Sequence, residues 1–310
     1  MTINPLSVPS GKARVSDATR RERWRNRGAV LFFLAPSAVP LVLFTFGPMI
    51  SSLWISLHSW DLVSPMRWVG LANYTHLLSD GDTRAAFAHT LYFIAGYLPL
   101  VYVGGLALAL ALNRGMRWQS ILRSIYFLPV VTSWVAVSLT WKWILSPDGG
   151  LVNQVLDAVG LPAPDWWASP TWALPSVILA TAWKDLGFVM VVLLAGLQEI
   201  PEELYEAATI DGAGAWQRFV RITLPLLAPS TYFIVLISLI SGFQVFDQVF
   251  VMTGGGPAGS SRPVVEEVYD LSFRYGQVGS GSALSWLLFV VMMAVTAVMA
   301  RIQRRWVTHA

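Results

Sequence analysis

The sequence predicts an all-α integral membrane protein with six transmembrane helices, and three observations carry that expectation. Of its 310 residues 55% are hydrophobic and only 13% charged, about half the charged share of a soluble domain, so a water-facing surface could not be covered. The mean hydropathy is +0.56. The apolar residues also lie in long runs, each near the ~20 helical residues that cross ~30 Å of hydrocarbon, whereas barrel strands would be about ten residues of alternating polarity.

Residues 1–27 read as a polar, basic cytoplasmic tail, and 28–305 as one membrane domain. Residues 29–57 contain no charge and give a first span over 28–57, too long for a signal-peptide core and therefore read as uncleaved. Residues 85–112 give a second span over 86–112, and 124–141, followed by the lone Lys142, a third over 120–145. Residues 166–183 are uncharged, Lys184 and Asp185 interrupt, and the apolar run resumes to Leu197, giving a fourth span over 171–197. Residues 222–246 and 276–300 give the fifth and sixth, over 224–252 and 277–301. Internal breakers such as Pro99, Gly104 and Gly105 are tolerated where neighbouring helices re-satisfy the backbone. Gly254, Gly255 and Gly256 with Pro257 end a helix. The intervening loops at 58–84, 146–168 and 253–275 are too short for a separate domain.

Lys and Arg accumulate on the cytoplasmic side of membrane helices. Fifteen lie in the N-terminal tail, the second and fourth inter-span loops and the C-terminal tail, against four in the alternate loops: Arg67, Arg84, Arg262 and Arg274. Both termini are therefore expected inside. The tail lacks an aromatic-basic repeat, so it reads as a juxtamembrane anchor on lipid and not as a nucleic-acid arm. With no cysteine and four scattered histidines, disulfides, thiolate metal sites and cysteine nucleophiles are excluded, and no metal site is expected.

The cytoplasmic loop 198–222 is the most informative stretch. Pro201 is placed to open a helix, and Glu202 and Glu203 sit in its first turn, where the helix dipole favours negative charge. Leu204, Ala207 and Ala208 form one apolar face, with Glu206 on the polar side. Gly212, after Asp211, stops the helix in a left-handed cap. A second short helix follows over 215–223, and Pro225 and Pro229 start the next span. On this physics alone the segment reads equally as an interfacial amphipathic hairpin or as a surface that lets another protein approach closely.

The run E-A-A-T-I-D-G (206–212), nine residues, then I-T-L-P (222–225) resembles the EAA loop of ABC importer permeases. V-G-L-A-N-Y (69–74), R-S-I-Y-F-L-P (123–129), W-K-W-I-L (141–145) and F-D-Q-V-F-V-M-T-G-G-G-P (246–257) resemble the carbohydrate-uptake branch, similar to the sugar and glycerol-3-phosphate permease subunits. The large external insertion of the maltose subunit is missing. The resemblance implies an inner-membrane subunit that is not itself an enzyme. Its partners would be a second related permease, two ATP-binding-cassette ATPase subunits and an extracytoplasmic solute-binding protein. Glu203, Glu206, Ala207, Ala208, Asp211 and Gly212 would couple to the ATPase. The chain has no G-x-x-x-x-G-K-[ST], its Gly11 and Lys12 being followed by Ala13, so ATP and magnesium are expected on the partner.

An ionisable group at bilayer depth costs roughly 2.5–3.5 kcal/mol on insertion scales and usually faces a protein interior or a water-filled path. Lys184, Asp185, Phe243, Gln244, Phe246 and Asp247 are the candidate pathway residues, with Gln244 and Asp247 expected on one face of the fifth span. The structural alternative is that Lys184 pairs with a carboxylate to hold helices together. Other functions in view are a permease for amino acids or peptides, an ion-gradient transporter, and an integral membrane transferase, which would need clustered carboxylates or metal ligands.

Overall fold

A computed structural model describes residues 32–113 and 118–306. The basic tail, residues 28–31 of the expected first span, Arg114 and Arg117 lie outside them. The described residues fall into two units, divided between Trp54 and Ile55. The first holds all but the last two residues of helix α1, Phe32–Ser56, α-helical apart from a π-turn at Val42–Phe46. Its apolar residues surround the helix, with Phe32, Leu34, Leu43 and Phe44 all exposed, the pattern of a membrane span.

The second unit opens with a short antiparallel pair, β1 (His58–Ser59) with β2 (Arg67–Trp68), and helix α2 (Ala72–Ser79). Helix α3 (Gly81–Leu112) starts five residues earlier than expected, because the Asp80 carboxylate accepts from the Thr83 amide at 2.7 Å and caps the helix. Helices α4 (Gln119–Val131), α5 (Trp134–Ile144), α6 (Leu151–Ala158) and α7 (Ala173–Gln198) follow. Then come α8 (Glu202–Ile210), α9 (Ala215–Leu226), α10 (Ala228–Phe243), α11 (Asp247–Met252), α12 (Val264–Tyr269) and α13 (Val278–Trp306).

The most extensive packing joins α3 to α7. A Cβ at Gly105 would lie 2.5 Å from Val189 Cγ1, so the missing side chain lets the two backbones close up, as small residues do between membrane helices. At the α4–α7 crossing a Cβ on Gly187 would overlap the Tyr126 carbonyl. Phe93, Met190, Leu193 and Ile234 fill the core.

Two expected spans are not continuous. Helices α4 and α5 meet at 100°, with Thr132 and Ser133 extended between them. The break is stable because the freed carbonyls find donors: the Thr132 hydroxyl donates to Pro129 O at 2.5 Å and Lys184 Nζ to Val130 O at 2.9 Å. The fifth expected span bends by 64° between α9 and α10 and breaks again at residues 244–246 before α11. Four described helices are long and apolar enough to cross a membrane, or six spans result if each bent pair counts as one.

The loops between alternate spans gather at one end. Val278 N donates to Trp60 O at 3.0 Å and Val264 N to Thr90 Oγ1 at 3.0 Å. The Trp167 indole donates to Lys142 O at 3.1 Å, and Lys142 Nζ donates to Val251 O at 3.3 Å. The α8–α9 hairpin lies at the far end of α7, a helix of 26 residues and thus about 39 Å long. The expected terminator is present: α11 ends at Met252, and Gly254 and Gly255 take φ of 58° and 75°.

Candidate functional site

A cavity of 370 Å³ opens where α10 gives way to α11. Phe246, at φ −147° and ψ −66°, turns the chain out of the helix, and Asp247 begins the next one. Along this stretch Ser241, Gln244 and Asp247 are exposed to the cavity while Phe243 and Val245 are buried. Gln244 and Asp247 do share the cavity, but not as neighbours on one helix face. They stand on either side of a break, and the break makes the face.

The opposite lining comes from three other helices. Helix α3 supplies Phe93 and Tyr97, stacked with ring centroids 5.5 Å apart. Helix α5 supplies Trp134, and α7 supplies Thr181 and Asp185. The Tyr97 hydroxyl donates to Asp185 Oδ2 at 2.8 Å, fixing the carboxyl at the cavity edge. Among the described residues, the side chains of Gln244, Asp247 and Gln248 line the cavity without a hydrogen-bond partner in the chain.

Four of the six expected pathway residues, Asp185, Gln244, Phe246 and Asp247, thus meet at one cavity. Lys184 and Phe243 do not line it. Phe243 is packed in the core at 3% exposure. The Lys184 ammonium donates to Val130 O and sits 4.5 Å above the Trp134 ring. It does not pair with a carboxylate, and among the described residues the ion pairs involve only Arg262 and Arg274. The carbonyl left open at the end of α4 is the acceptor that satisfies it. Gln248, next to Asp247, also lines the cavity, as do Tyr97 and Trp134, which sequence spacing does not tie to Asp185, 88 and 51 positions further on.

The hairpin expected to meet the ATPase is built differently. Pro201 caps α8 from outside, and Glu202 is the first helical residue. At the other end Gly212 has φ 78°, with Ala213 N donating to Ala208 O at 2.8 Å and Gly212 N to Thr209 O at 3.1 Å, the two bonds of a Schellman stop. The Tyr205 hydroxyl meets Thr223 Oγ1 at 2.9 Å, and Arg218 Nη1 donates to Thr209 Oγ1 at 2.9 Å. The expected apolar face is not a buried one: Leu204 and Ala207 are exposed and Ala208 is half-buried, while Tyr205 turns inward. Glu203, Glu206 and Asp211 are exposed as well.

Residues 102–308 match the family described as binding-protein-dependent transport system inner membrane component. The trehalose/maltose transport system permease protein MalF of Thermococcus litoralis is 32% identical over 290 residues, covering 93% of this chain and 98% of that one. The sulfoquinovosyl glycerol transport system permease protein SmoG of Agrobacterium fabrum is 34% identical, covering 92% and 94%. A chain of a bacterial ABC transporter involved in the import of the acidic polysaccharide alginate superposes with a TM-score of 0.80 at 25% identity, covering 92% of this chain and 99% of that one. A span-length helical bundle with a cavity at a broken helix, an EAA-type hairpin, and these matches over nearly the whole chain lead to one assignment: the protein belongs to the binding-protein-dependent transport system inner membrane components, as a permease subunit of an ABC importer.

Proposed function

We propose that this permease moves a carbohydrate through the cavity at the α10–α11 break by alternating access. The observation that carries the proposal is the lining. A sugar presents hydroxyls at its edges and C–H surfaces on its faces. Asp185, Asp247, Gln244 and Thr181 offer hydrogen bonds, and Tyr97, Trp134 and Phe246 offer flat apolar surfaces beside them. The carbohydrate cargoes named for the relatives support the same reading.

In this proposal both termini and the α8–α9 hairpin are cytoplasmic, in keeping with the charge count. A second, related permease supplies the other wall of the path. Two ATPase subunits hold ATP and magnesium and grip the two hairpins, with Glu203, Glu206, Ala207, Ala208, Asp211 and Gly212 at the contact. A solute-binding protein delivers cargo to the end formed by loops 58–80 and 253–277. Closure of the ATPase pair then moves α8 as a lever and tilts the spans. The test is uptake by the whole complex in vesicles. Gln244→Ala and Asp247→Asn should each lower uptake at normal protein level and normal association with the ATPase. Wild-type uptake kinetics in both would show that the cavity is not the path.

A further inference from the structure

The relatives leave the charge of the cargo open, since trehalose and maltose are neutral whereas sulfoquinovosyl glycerol and alginate are anionic. This chain's wall of the path carries one sign. Two carboxyl groups, Asp185 and Asp247, line it, and no Lys, Arg or His does. The one span cation nearby, Lys184, is 4% exposed and committed to Val130 O and the Trp134 ring. Every other polar side-chain group there is a neutral hydroxyl, amide or indole, as in Ser241, Gln244 and Trp134.

Resting on the reading of this cavity as the solute path, we infer that the permease selects uncharged hydroxylated solutes and disfavours phosphorylated, sulfonated or uronate sugars. Carboxyl oxygens accept hydrogen bonds from sugar hydroxyls, and amides take either role. A sulfonate or phosphate would instead meet acidic oxygens with no cationic fork to receive it, where such groups are recognised by Arg or Lys. Like-signed groups placed together suppress the wrong partner, and specificity draws on such repulsion as well as on favourable contacts. Selection by charge would thus act in the membrane subunit, downstream of whatever the binding protein admits.

The absence of cysteine from the chain allows the field in the cavity to be read directly. Ser241→Cys, and Gln244→Cys as a second position, introduce one thiol each into the assembled complex. Each is treated with a cationic (trimethylammonium) and an anionic (sulfonate) methanethiosulfonate reagent, and the extent of reaction on this chain is followed by mass. After normalisation to the rates with a free thiol, the cationic reagent should react at least about tenfold faster. Asp247→Asn should reduce that ratio, and Asp185→Asn with it should bring it near one. A normalised anionic rate equal to or above the cationic one overturns the inference while leaving the solute path intact. If neither reagent reaches either position while Val63→Cys, at a residue 91% exposed, reacts fully, then the path and the charge selection both fail.

Discussion

Helix α12 with the turn after it and helix α8 each carry three acidic residues, and the fold uses them in opposite ways. At the end formed by residues 253–279, Glu266, Glu267 and Asp270 are all buried. Arg262 meets Glu267 at 3.0 Å and Asp270 at 3.5 Å, and Arg274 meets Asp270 at 2.9 Å. At the hairpin end Glu202, Glu203 and Glu206 are all exposed, and Ile210 and Trp216 stand 87% and 73% open beside them. Glycines divide the same way. A Cβ on Gly279 would overlap the His58 carbonyl, whereas around Gly212 and Gly214 there is nothing within 4 Å. One end buries its charges within the chain, pairing Glu267 and Asp270 with arginines while the Glu266 carboxyl has no hydrogen-bond partner. The other leaves its charges and apolar side chains exposed.

The sharpest way to break this comparison is at Gly279. Gly279→Val should cost about 3 kcal/mol, the upper end of overpacking, because the obstructing atom is backbone. It should appear as loss of folded protein in detergent; wild-type thermal stability would show that this end is not closely packed. The buried acids give a smaller effect with a defined sign. Burial, reinforced by the Asp270 carboxylate, pushes Glu266 from its ordinary 4.5 up to about 7. The unfolded chain therefore releases this proton first. Stability is fullest below about 4.5, falls as pH rises, and is lowest above about 7, by roughly 3 kcal/mol at most. Melting the complex from pH 4.5 to 8 should show the decline, and Glu266→Gln should flatten it. An unchanged slope in the variant would assign the decline elsewhere.

At the hairpin, stability and function should separate. Gly212→Val puts a β-branched residue at φ 78°, a strain of about 1–2 kcal/mol confined to the cap. Glu206→Lys should be nearly silent for stability. Both should insert normally yet lose solute-stimulated ATP hydrolysis in the purified complex, and normal stimulation in both would remove α8 from the coupling contact. The smallest effect belongs to Gly214→Ala, at φ −68° and in open space. It should stay within about 0.5 kcal/mol of the parent, the counterpart to Gly279→Val.

The spans and the hairpin were legible because hydropathy and cap chemistry are local. Ser124, Pro129 and Trp141 sit in one apolar run, yet the chain turns by 100° within it. Hydropathy reports composition and not direction, and the donors that stabilise the turn include Lys184, fifty-four residues further on. The same limit hid Tyr97, whose hydrogen bond reaches Asp185 across 88 positions. Asp185 and Asp247 could be singled out because a carboxyl inside an apolar run is expensive. A tyrosine or tryptophan in such a run is not, so Tyr97 and Trp134 gave no signal. Phe243 was misplaced for a related reason: next to a helix break, adjacent residues no longer follow the helical angle.

The partners of Lys184 and Asp185 also set an order in time. Both groups lie in α7, and their partners, Val130 with the Trp134 ring and Tyr97, lie in α3, α4 and α5, all earlier in the chain. A growing polypeptide emerges from its N-terminus, so the acceptor and the donor are already synthesised when the one span with two adjacent ionisable residues leaves the ribosome. Lys184 and Asp185 are therefore synthesised after the groups that meet them. A circularly permuted gene that began at α7 would deliver the same lysine and aspartate to lipid before either could be met.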